Sequence, residues 1–251
     1  MNIQRNPKIS IVIPALNEEK LIANTLLCFP LTQRRKFNLE LIVSDGGSSD
    51  KTIDIAKKLA DKVVEHKEKR RQTISEGRNK GAEQADGKIL VFINADTVPC
   101  YPEKFISSIV SYSEKMFSDK MVVAIACSVE IAPNERKTSD RIFHLIFNNY
   151  VRMLNFSGFG MGRGECQIVR SDMFHKVGGY ANEMAAGEDF NLYQKLGRLG
   201  RIGYHKELKV YESPRRFRRY GYWKVLLEWT LNGLAVMMIG RSVSKEWEEI
   251  R

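Results

Sequence analysis

Cysteine is scarce in this chain: there are four in 251 residues, at positions 28, 100, 127 and 166. No two lie close enough for a metal knuckle or a CxxC pair. That excludes a disulfide scaffold and a zinc module, and points to scattered small apolar residues in a reducing compartment. Long apolar runs are missing too. The longest, 225–239, is interrupted by Glu228 and Asn232 and falls short of the roughly 18–20 residues a membrane-spanning helix needs. Met1 to Lys8 is polar and carries no apolar signal segment, so a cytoplasmic location is expected. Repeats and low-complexity linkers are absent, and 43% hydrophobic residues exclude a disordered or collagen-like chain. Acidic residues are in deficit: 30 Asp+Glu against 40 Lys+Arg leave a net charge of +10. Such a surface suits phosphates, nucleic acid or anionic lipid without choosing among them.

What is present is a regular alternation. Ile9–Ile13, Leu39–Val43, Val63-Val64, Ile89–Ile93, Val122–Val129 and Gln167–Val169 are short apolar or β-branched runs that read as strands. Between and after them the spacing predicts helices over Glu18–Cys28 (capped by Asn17), Lys51–Ala60, Gln72–Ala85, Tyr101–Phe117, Arg141–Phe156, Ser171–Val177 and Asp189–Leu199. Ile89–Ile93 is almost wholly apolar, as a strand buried on both faces requires. Strands alternating with helices predict an α/β protein with a mostly parallel sheet. In such sheets ligands gather outside the carboxyl ends of the strands. Here those ends carry Pro14-Ala15-Leu16-Asn17-Glu18, Ser44-Asp45-Gly46-Gly47-Ser48 and Asn94-Ala95-Asp96, so three polar clusters are expected to converge on one crevice.

Each cluster also has a plain structural explanation. Asp45 to Asp50 suits a strand-to-helix turn, with glycines for positive φ and Ser or Asp as caps. Asp96 would serve as a helix cap beside Pro99 and Pro102. Glu188 and Asp189 open a helix, where the dipole stabilises acids. The apolar stretch Met184-Ala185-Ala186 before them would instead desolvate one acid toward a general-base role. From Arg198 to Arg219 there are eight Lys/Arg and two Glu, a density suited to clamping an anion. Gly158 to Gly164 holds four glycines and reads as a mobile loop whose end, Gly164-Glu165-Cys166, is assigned to acceptor or sugar contact.

Taken in order, these motifs form a set. Ile11–Pro14 with Asn17-Glu18, the Asp45–Asp50 turn, Gly77-Arg78-Asn79-Lys80-Gly81, Asn94-Ala95-Asp96, Gly187-Glu188-Asp189 and Arg216-x-x-Arg219-Tyr220 strongly resemble the motifs of the family-2 glycosyltransferases, from about Ile9 to Tyr220. The resemblance implies the GT-A fold: a Rossmann-like, mostly parallel central sheet flanked by helices, with a C-terminal acceptor-side subregion. It implies a nucleotide-diphosphate sugar donor held by Pro14, Ala15, Asn17, Glu18, Asp45, Gly47, Ser48 and Arg78, with Asp45 reading the base. Asn94-Ala95-Asp96 would stand for the DxD motif, with Asp96 coordinating Mg²⁺ or Mn²⁺. Asp189, preceded by Glu188, would be the base of an inverting transfer, and Arg216, Arg219 and Tyr220 would close over the donor. Two departures matter. Asn94 removes one carboxylate, which lowers the expected metal affinity and raises the alternative of an inactive nucleotide-sugar binder. Arg216 stands where many processive members have Gln, and no long membrane helices follow, which favours addition of one sugar over a processive polymer synthase.

Residues 1–130 are thus expected to bind the donor, 131–221 to form the acceptor and catalytic half, and 222–251 an amphipathic helical tail. In that tail Lys224, Glu228 and Asn232 make one narrow polar stripe in an otherwise apolar arc. Such an arc suits packing on the domain's own core, association with a partner or second copy, or a lipid surface beside the basic run. Membrane-surface contact fits a lipid-linked acceptor. No nucleic-acid partner is expected, because no nucleic-acid motif accompanies the positive charge.

Overall fold

The computed structural model describes residues 8–184 and 186–239, so residues 1–7 of the polar start, Ala185 and residues 240–251 of the expected tail lie outside the described residues. In chain order the elements are β1 (Ile9–Ala15), α1 (Ile22–Leu27), α2 (Leu31–Phe37), β2 (Leu39–Asp45), α3 (Thr52–Leu59), β3 (Lys62–Glu65), α4 (Ile74–Glu83), β4 (Ile89–Ile93), β5 (Val98–Pro99), α5 (Pro102–Ser118), β6 (Val122–Ala126) and β7 (Ser128–Ile131). Then follow α6 (Thr138–Phe156), β8 (Cys166–Arg170), α7 (Ser171–Lys176), α8 (Glu188–Gly197), β9 (Arg201–Gly203), β10 (Lys209–Glu212) and α9 (Arg215–Ile239). The larger sheet has the order β3-β2-β1-β4-β8-β6-β9. Its pairs are parallel except where β8 lies between β4 and β6. The expected mostly parallel α/β sheet is what forms.

The apolar runs explain the layering. Along β4, Ile89, Val91 and Ile93 enter one core cluster while Leu90 and Phe92 enter the other, so helices must cover both faces. Phe92 meets Phe174 and Tyr180 at ring distances of 5.2 and 5.1 Å, and truncating so buried an aromatic costs about 3–5 kcal/mol. α5 starts with Pro102 in its first turn and buries Phe105, Ile106, Ile109, Val110 and Met116 along one face. α4 starts with a capping box, Thr73 Oγ1 accepting from Glu76 N while Glu76 accepts from Thr73 N. It then lies unusually close to β1: a Cβ on Gly81 would sit 2.4 Å from Val12 Cγ1. That closeness sets where Arg78, one turn earlier, can reach.

Several elements depart from expectation. Asn17 does not cap a helix: it has φ 52° and helix α1 begins only at Ile22, because the Asn17 amide oxygen is taken by Ser49 N at 2.8 Å. Val122–Val129 is not one strand. It divides at Cys127 into β6 and β7, and β7 joins a separate sheet of order β5-β10-β7. The glycine-rich segment is packed rather than an open loop, since a Cβ on Gly160 would sit 2.2 Å from Tyr193 O and one on Gly162 2.6 Å from the Tyr193 ring. In α9 the backbone breaks at Gly221 (φ 75°), and beyond it the polar stripe is not the solvent face. Asn232 is buried, whereas Trp223, Leu227 and Leu231 are exposed. Among the described residues no helix is long and apolar enough to cross a membrane.

Candidate active site

The carboxyl ends of β1, β2 and β4 lie side by side, with Ala15 opposite Asp45 and Val12 opposite Phe92. The order 3-2-1-4 places the switch in strand direction of travel between β1 and β4, where open sheets leave a crevice. The first two loops are stitched together across it. Asn17 N donates to Ser48 Oγ and Glu18 N to Thr52 Oγ1, both at 2.8 Å. Asp45 is fully buried beneath its turn: Oδ2 accepts from Gly47 N and Ser48 N at 2.8 Å, and Oδ1 from the Ser48 hydroxyl at 2.5 Å. Its carboxylate therefore shapes the turn at the carboxyl end of β2, where the expected donor-binding residues Gly47 and Ser48 sit. Pro14 and Ala15 are buried strand residues, and Ala15 O accepts from Gly46 N at 2.8 Å. Ala95 is likewise a core residue whose carbonyl is taken by Thr25 Oγ1.

Arg78 is the hub of the site. Its side chain is 1% exposed and donates to Glu188 Oε1 at 2.8 Å, Asn94 Oδ1 at 3.0 Å and Gly164 O at 2.7 Å, while the guanidinium lies 5.0 Å from the Tyr180 ring centre. A cation so buried is held by its partners, and cannot leave them for a nucleotide without exposing an unpaired Glu188. In this arrangement Arg78 and Glu188, both expected at the site, form one buried ion pair. It also gives Asn94 a local role: its amide oxygen accepts from Arg78.

Asp189 remains. Gly187, in the left-handed region at φ 75°, turns the chain into α8 so that Glu188 faces inward and Asp189 follows at the helix start. Asp189 Oδ1 accepts from Phe190 N at 2.8 Å. A Cβ on Gly164 would lie 3.3 Å from Asp189 Oδ2 and 3.5 Å from Arg78 Nη2, so glycine keeps that side of the carboxyl open. Burial, and then the charge of Glu188, push the Asp189 pKa up to about 7 against the pull of Arg78. An acid poised there exchanges a proton near neutral pH.

The third group of carboxylates contains a residue that sequence reasoning passed over. Arg215, in the first turn of α9, donates through one nitrogen, Nη2, to both Glu18 Oε1 at 2.9 Å and Asp96 Oδ2 at 2.8 Å. The density of the basic run gave a signal for the region but not for this position. The run is no single patch: Arg201 pairs with Asp119, Lys209 with Glu130 and Arg218 with Asp140. Arg219 lies over the Tyr220 ring at 5.4 Å, with Lys224 Nζ 4.4 Å from the same ring, and Arg216 stands beside Arg215 in the same turn.

Beside Asp189, the end of the glycine-rich segment is anchored by buried Arg163, which donates to Glu165 at 3.2 Å and Glu212 at 2.7 Å. Burial and the neighbouring Glu165 charge raise the Glu212 pKa well above the usual carboxylate range. Burial acts the same way on Glu165, but Arg163 holds it down. Cys166 is fully buried in β8 beside Cys127, where its side chain packs into the core. Gly164 contributes its carbonyl to Arg78, and Glu165 its carbonyl to Asn94 N at 3.2 Å.

The oxygens of Asp96 and Glu18 are hard donors of the type Mg²⁺ and Mn²⁺ prefer, and a guanidinium already stands between them as a positive charge. Among the described residues no group of three or more His, Cys, Asp or Glu is gathered to hold a metal, so such an ion would need oxygens from its ligand as well.

Residues 10–178 match the family model described as Glycosyl transferase family 2. The chain is 28% identical over 189 residues to the glycosyltransferase AglE of Haloferax volcanii, covering 73% of this chain and 59% of the relative. It is 35% identical over 97 residues to a Methanococcus voltae enzyme named dolichyl N-acetyl-alpha-D-glucosaminyl phosphate 3-beta-D-2,3-diacetamido-2,3-dideoxy-beta-D-glucuronosyltransferase, covering 36% of this chain and 30% of that one. The chain thus spans well under two thirds of these relatives. A solved mannosyltransferase, PcManGT from Pyrobaculum calidifontis in complex with GDP-Man and Mn²⁺, superposes with a TM-score of 0.71 at 20% identity, covering 94% of this chain and 65% of that chain.

Proposed function

The chain belongs to glycosyl transferase family 2, and from that premise we propose that it moves a sugar from a nucleoside-diphosphate donor to an acceptor hydroxyl, inverting the anomeric carbon. The reading is supported by Arg78, which donates to Asn94, two residues before Asp96, and to the carbonyl of Gly164, where an added Cβ would lie 3.3 Å from Asp189 Oδ2. The nucleotide would lie along the stitched loops at Asn17, Glu18, Gly47 and Ser48, with Arg216, Arg219 and Tyr220 at the closing side. Asp189 would take the proton from the acceptor hydroxyl as it attacks opposite the departing diphosphate. Glu188, committed to Arg78, offers no nucleophile for a covalent intermediate, so a single displacement and inversion follow. Asp96, with Glu18 beside it, would hold Mg²⁺ or Mn²⁺, which when bound offsets the negative charge growing on the leaving diphosphate. The division into a donor half (1–130) and an acceptor half (131–221) fits this placement.

A lipid-linked acceptor at a membrane surface is favoured by a separate observation. The outer face of α6 exposes Ile142, Leu145, Ile146, Met153 and Phe156, the last 96% exposed, and Trp223 of α9 is 85% exposed. Between Asp140 and Glu165 the sequence has no acidic residue, and Arg141, Arg152 and Lys224 are exposed along the same two helices. Exposed apolar side chains beside cations, with no acid along α6 after Asp140, suit anionic headgroups. The name of the Methanococcus relative, which refers to a dolichyl phosphate-linked sugar, agrees with this chemistry.

The test is a thermal-shift screen of UDP-, GDP- and dTDP-sugars with and without Mn²⁺, followed by Mn²⁺-dependent donor turnover. Loss of a general base costs about 10²–10⁴-fold, so Asp189→Asn should fall by at least a hundredfold with ligand binding retained. Turnover within tenfold of wild type would remove Asp189 from the base role. Donor binding without turnover in the wild type would favour the inactive binder instead.

A further inference from the structure

Two carboxylates that face each other across a ligand crevice need a cation between them. In this chain the cation is supplied by the protein: Arg215 Nη2 reaches Glu18 Oε1 at 2.9 Å and Asp96 Oδ2 at 2.8 Å simultaneously. All three side chains are only partly exposed, at 28%, 19% and 21%. The position is therefore screened less than an open surface pair and more accessible than the Arg78 hub, which is sealed. Arg215 sits where the donor's divalent ion would be held. We propose that Arg215 is a resident counter-cation that keeps the Asp96–Glu18 pair neutralised until a metal–diphosphate complex arrives, and that its guanidinium then swings from the carboxylates to the diphosphate. This rests on the metal and diphosphate reading given above.

The surrounding structure confines the change to one side chain. Arg218, one turn along α9, holds Asp140 of α6 in a bidentate pair, and Tyr222 donates to the same carboxylate. Pro214 is buried before the helix. The backbone that bears Arg215 is thus fixed on α6, while its side chain ends in contacts that a metal can replace. The backbone of Glu18 is held from its own side by the bond from its N–H to Thr52 Oγ1. Two consequences follow. Metal alone binds poorly, because it must expel a cation and leave that cation unpaired. Metal and diphosphate bind cooperatively, because the expelled guanidinium gains an anion, and linkage makes the coupling reciprocal.

The test reads metal binding rather than turnover. Free Mn²⁺ is titrated by electron paramagnetic resonance against the full chain, with and without UDP or GDP, for wild type, Arg215→Gln, Arg215→Lys and Asp96→Asn. In the absence of nucleotide, Arg215→Gln should bind Mn²⁺ at least tenfold more tightly than wild type, and Arg215→Lys, which keeps the charge, should stay within threefold. With nucleoside diphosphate present, the advantage of Arg215→Gln should vanish or reverse. If Arg215→Gln stays within threefold of wild type without nucleotide while Asp96→Asn abolishes binding, the counter-cation role is overturned and the metal site stands. If Asp96→Asn binds Mn²⁺ and diphosphate as wild type does, the metal reading falls and this proposal with it. Matching near-ultraviolet circular dichroism of the variants shows that the fold is unchanged.

Discussion

Replacing Asp189 by Asn should make the protein more stable above neutral pH and leave it unchanged in acid. An Asp in an unfolded chain titrates near 3.9, whereas in the fold burial and the Glu188 charge hold Asp189 at about 7. Below pH 4 both states carry the proton, and the carboxylic acid and the amide are near-equivalent. Between pH 4 and 7 the unfolded chain ionises while the folded one does not, so wild-type stability falls by roughly 1.4 kcal/mol per pH unit. Above 7 the loss is complete, with a ceiling of about 4 kcal/mol. Asp189 as a residue is only half-buried, so screening by water reduces this to about 2 kcal/mol, or a Tm difference of roughly 4–8 °C for a chain of this size. Asn keeps the shape and the oxygen that accepts from Phe190 N, so the comparison isolates the ionisation. Urea or thermal melts of both proteins from pH 4 to 8.5 decide it. A variant less stable than wild type at pH 8, or an advantage equal at pH 4 and pH 8, would refute the reasoning.

Glu188→Gln should cost about 3–5 kcal/mol, because it strands the buried Arg78 charge, and should also move the Asp189 titration below 7, read by carbon-13 NMR of the labelled carboxyl. Gly81→Ala should cost roughly 1–3 kcal/mol through the clash with Val12, whereas Gly233→Ala, where a Cβ meets nothing within 4 Å, should gain about 0.5–1 kcal/mol; chemical melts compare the two. Phe156→Ser combined with Trp223→Ser should reduce sedimentation with anionic liposomes at low salt at least tenfold. Wild type that stays in the supernatant, or that forms a dimer which the double variant disrupts, would turn the exposed face from lipid to a second copy of the chain.

The parts of this molecule that follow from local pattern were legible in the sequence. Ile89–Ile93 reads as a doubly buried strand because every position is apolar, and the three polar clusters at strand ends converge because parallel strands share a carboxyl edge. The capacity of Gly187-Glu188-Asp189 to hold a perturbed acid was also legible, from the apolar residues before it. Where a local signal had a competing tertiary use, the reading went astray. Asn17 has the composition of a helix cap, but its oxygen is taken by Ser49 from the neighbouring loop. Four glycines in seven residues suggest mobility, yet Gly160 and Gly162 are glycine because Tyr193 of α8 lies against them. The stripe of Lys224, Glu228 and Asn232 has the spacing of a solvent face, yet Asn232 turns inward and returns its amide to Glu228 O.

The arginines were the least legible, and the reason is electrostatic rather than local. The crevice region contains three pairs of acids: Glu18 with Asp96, Glu188 with Asp189, and Glu165 with Glu212. Each pair is served by one guanidinium, from Arg215, Arg78 and Arg163 respectively. One positive charge between two carboxylates leaves an excess of one acid per pair. In the Glu188–Asp189 and Glu165–Glu212 pairs burial, and then the charge of the neighbouring acid, push Asp189 and Glu212 up. Around the third, more open pair the excess can be met from solution, by a divalent ion carrying a diphosphate. Arginines at positions 78, 163 and 215 come from three distant stretches of chain, and although the motif around Arg78 marked it, nothing in the immediate neighbours of Arg163 or Arg215 distinguishes them from Arg152 on the surface. What selects them is the carboxylate each one meets after folding, so a reader of sequence should count acids at the strand ends first and then ask which distant cations the fold must bring to them.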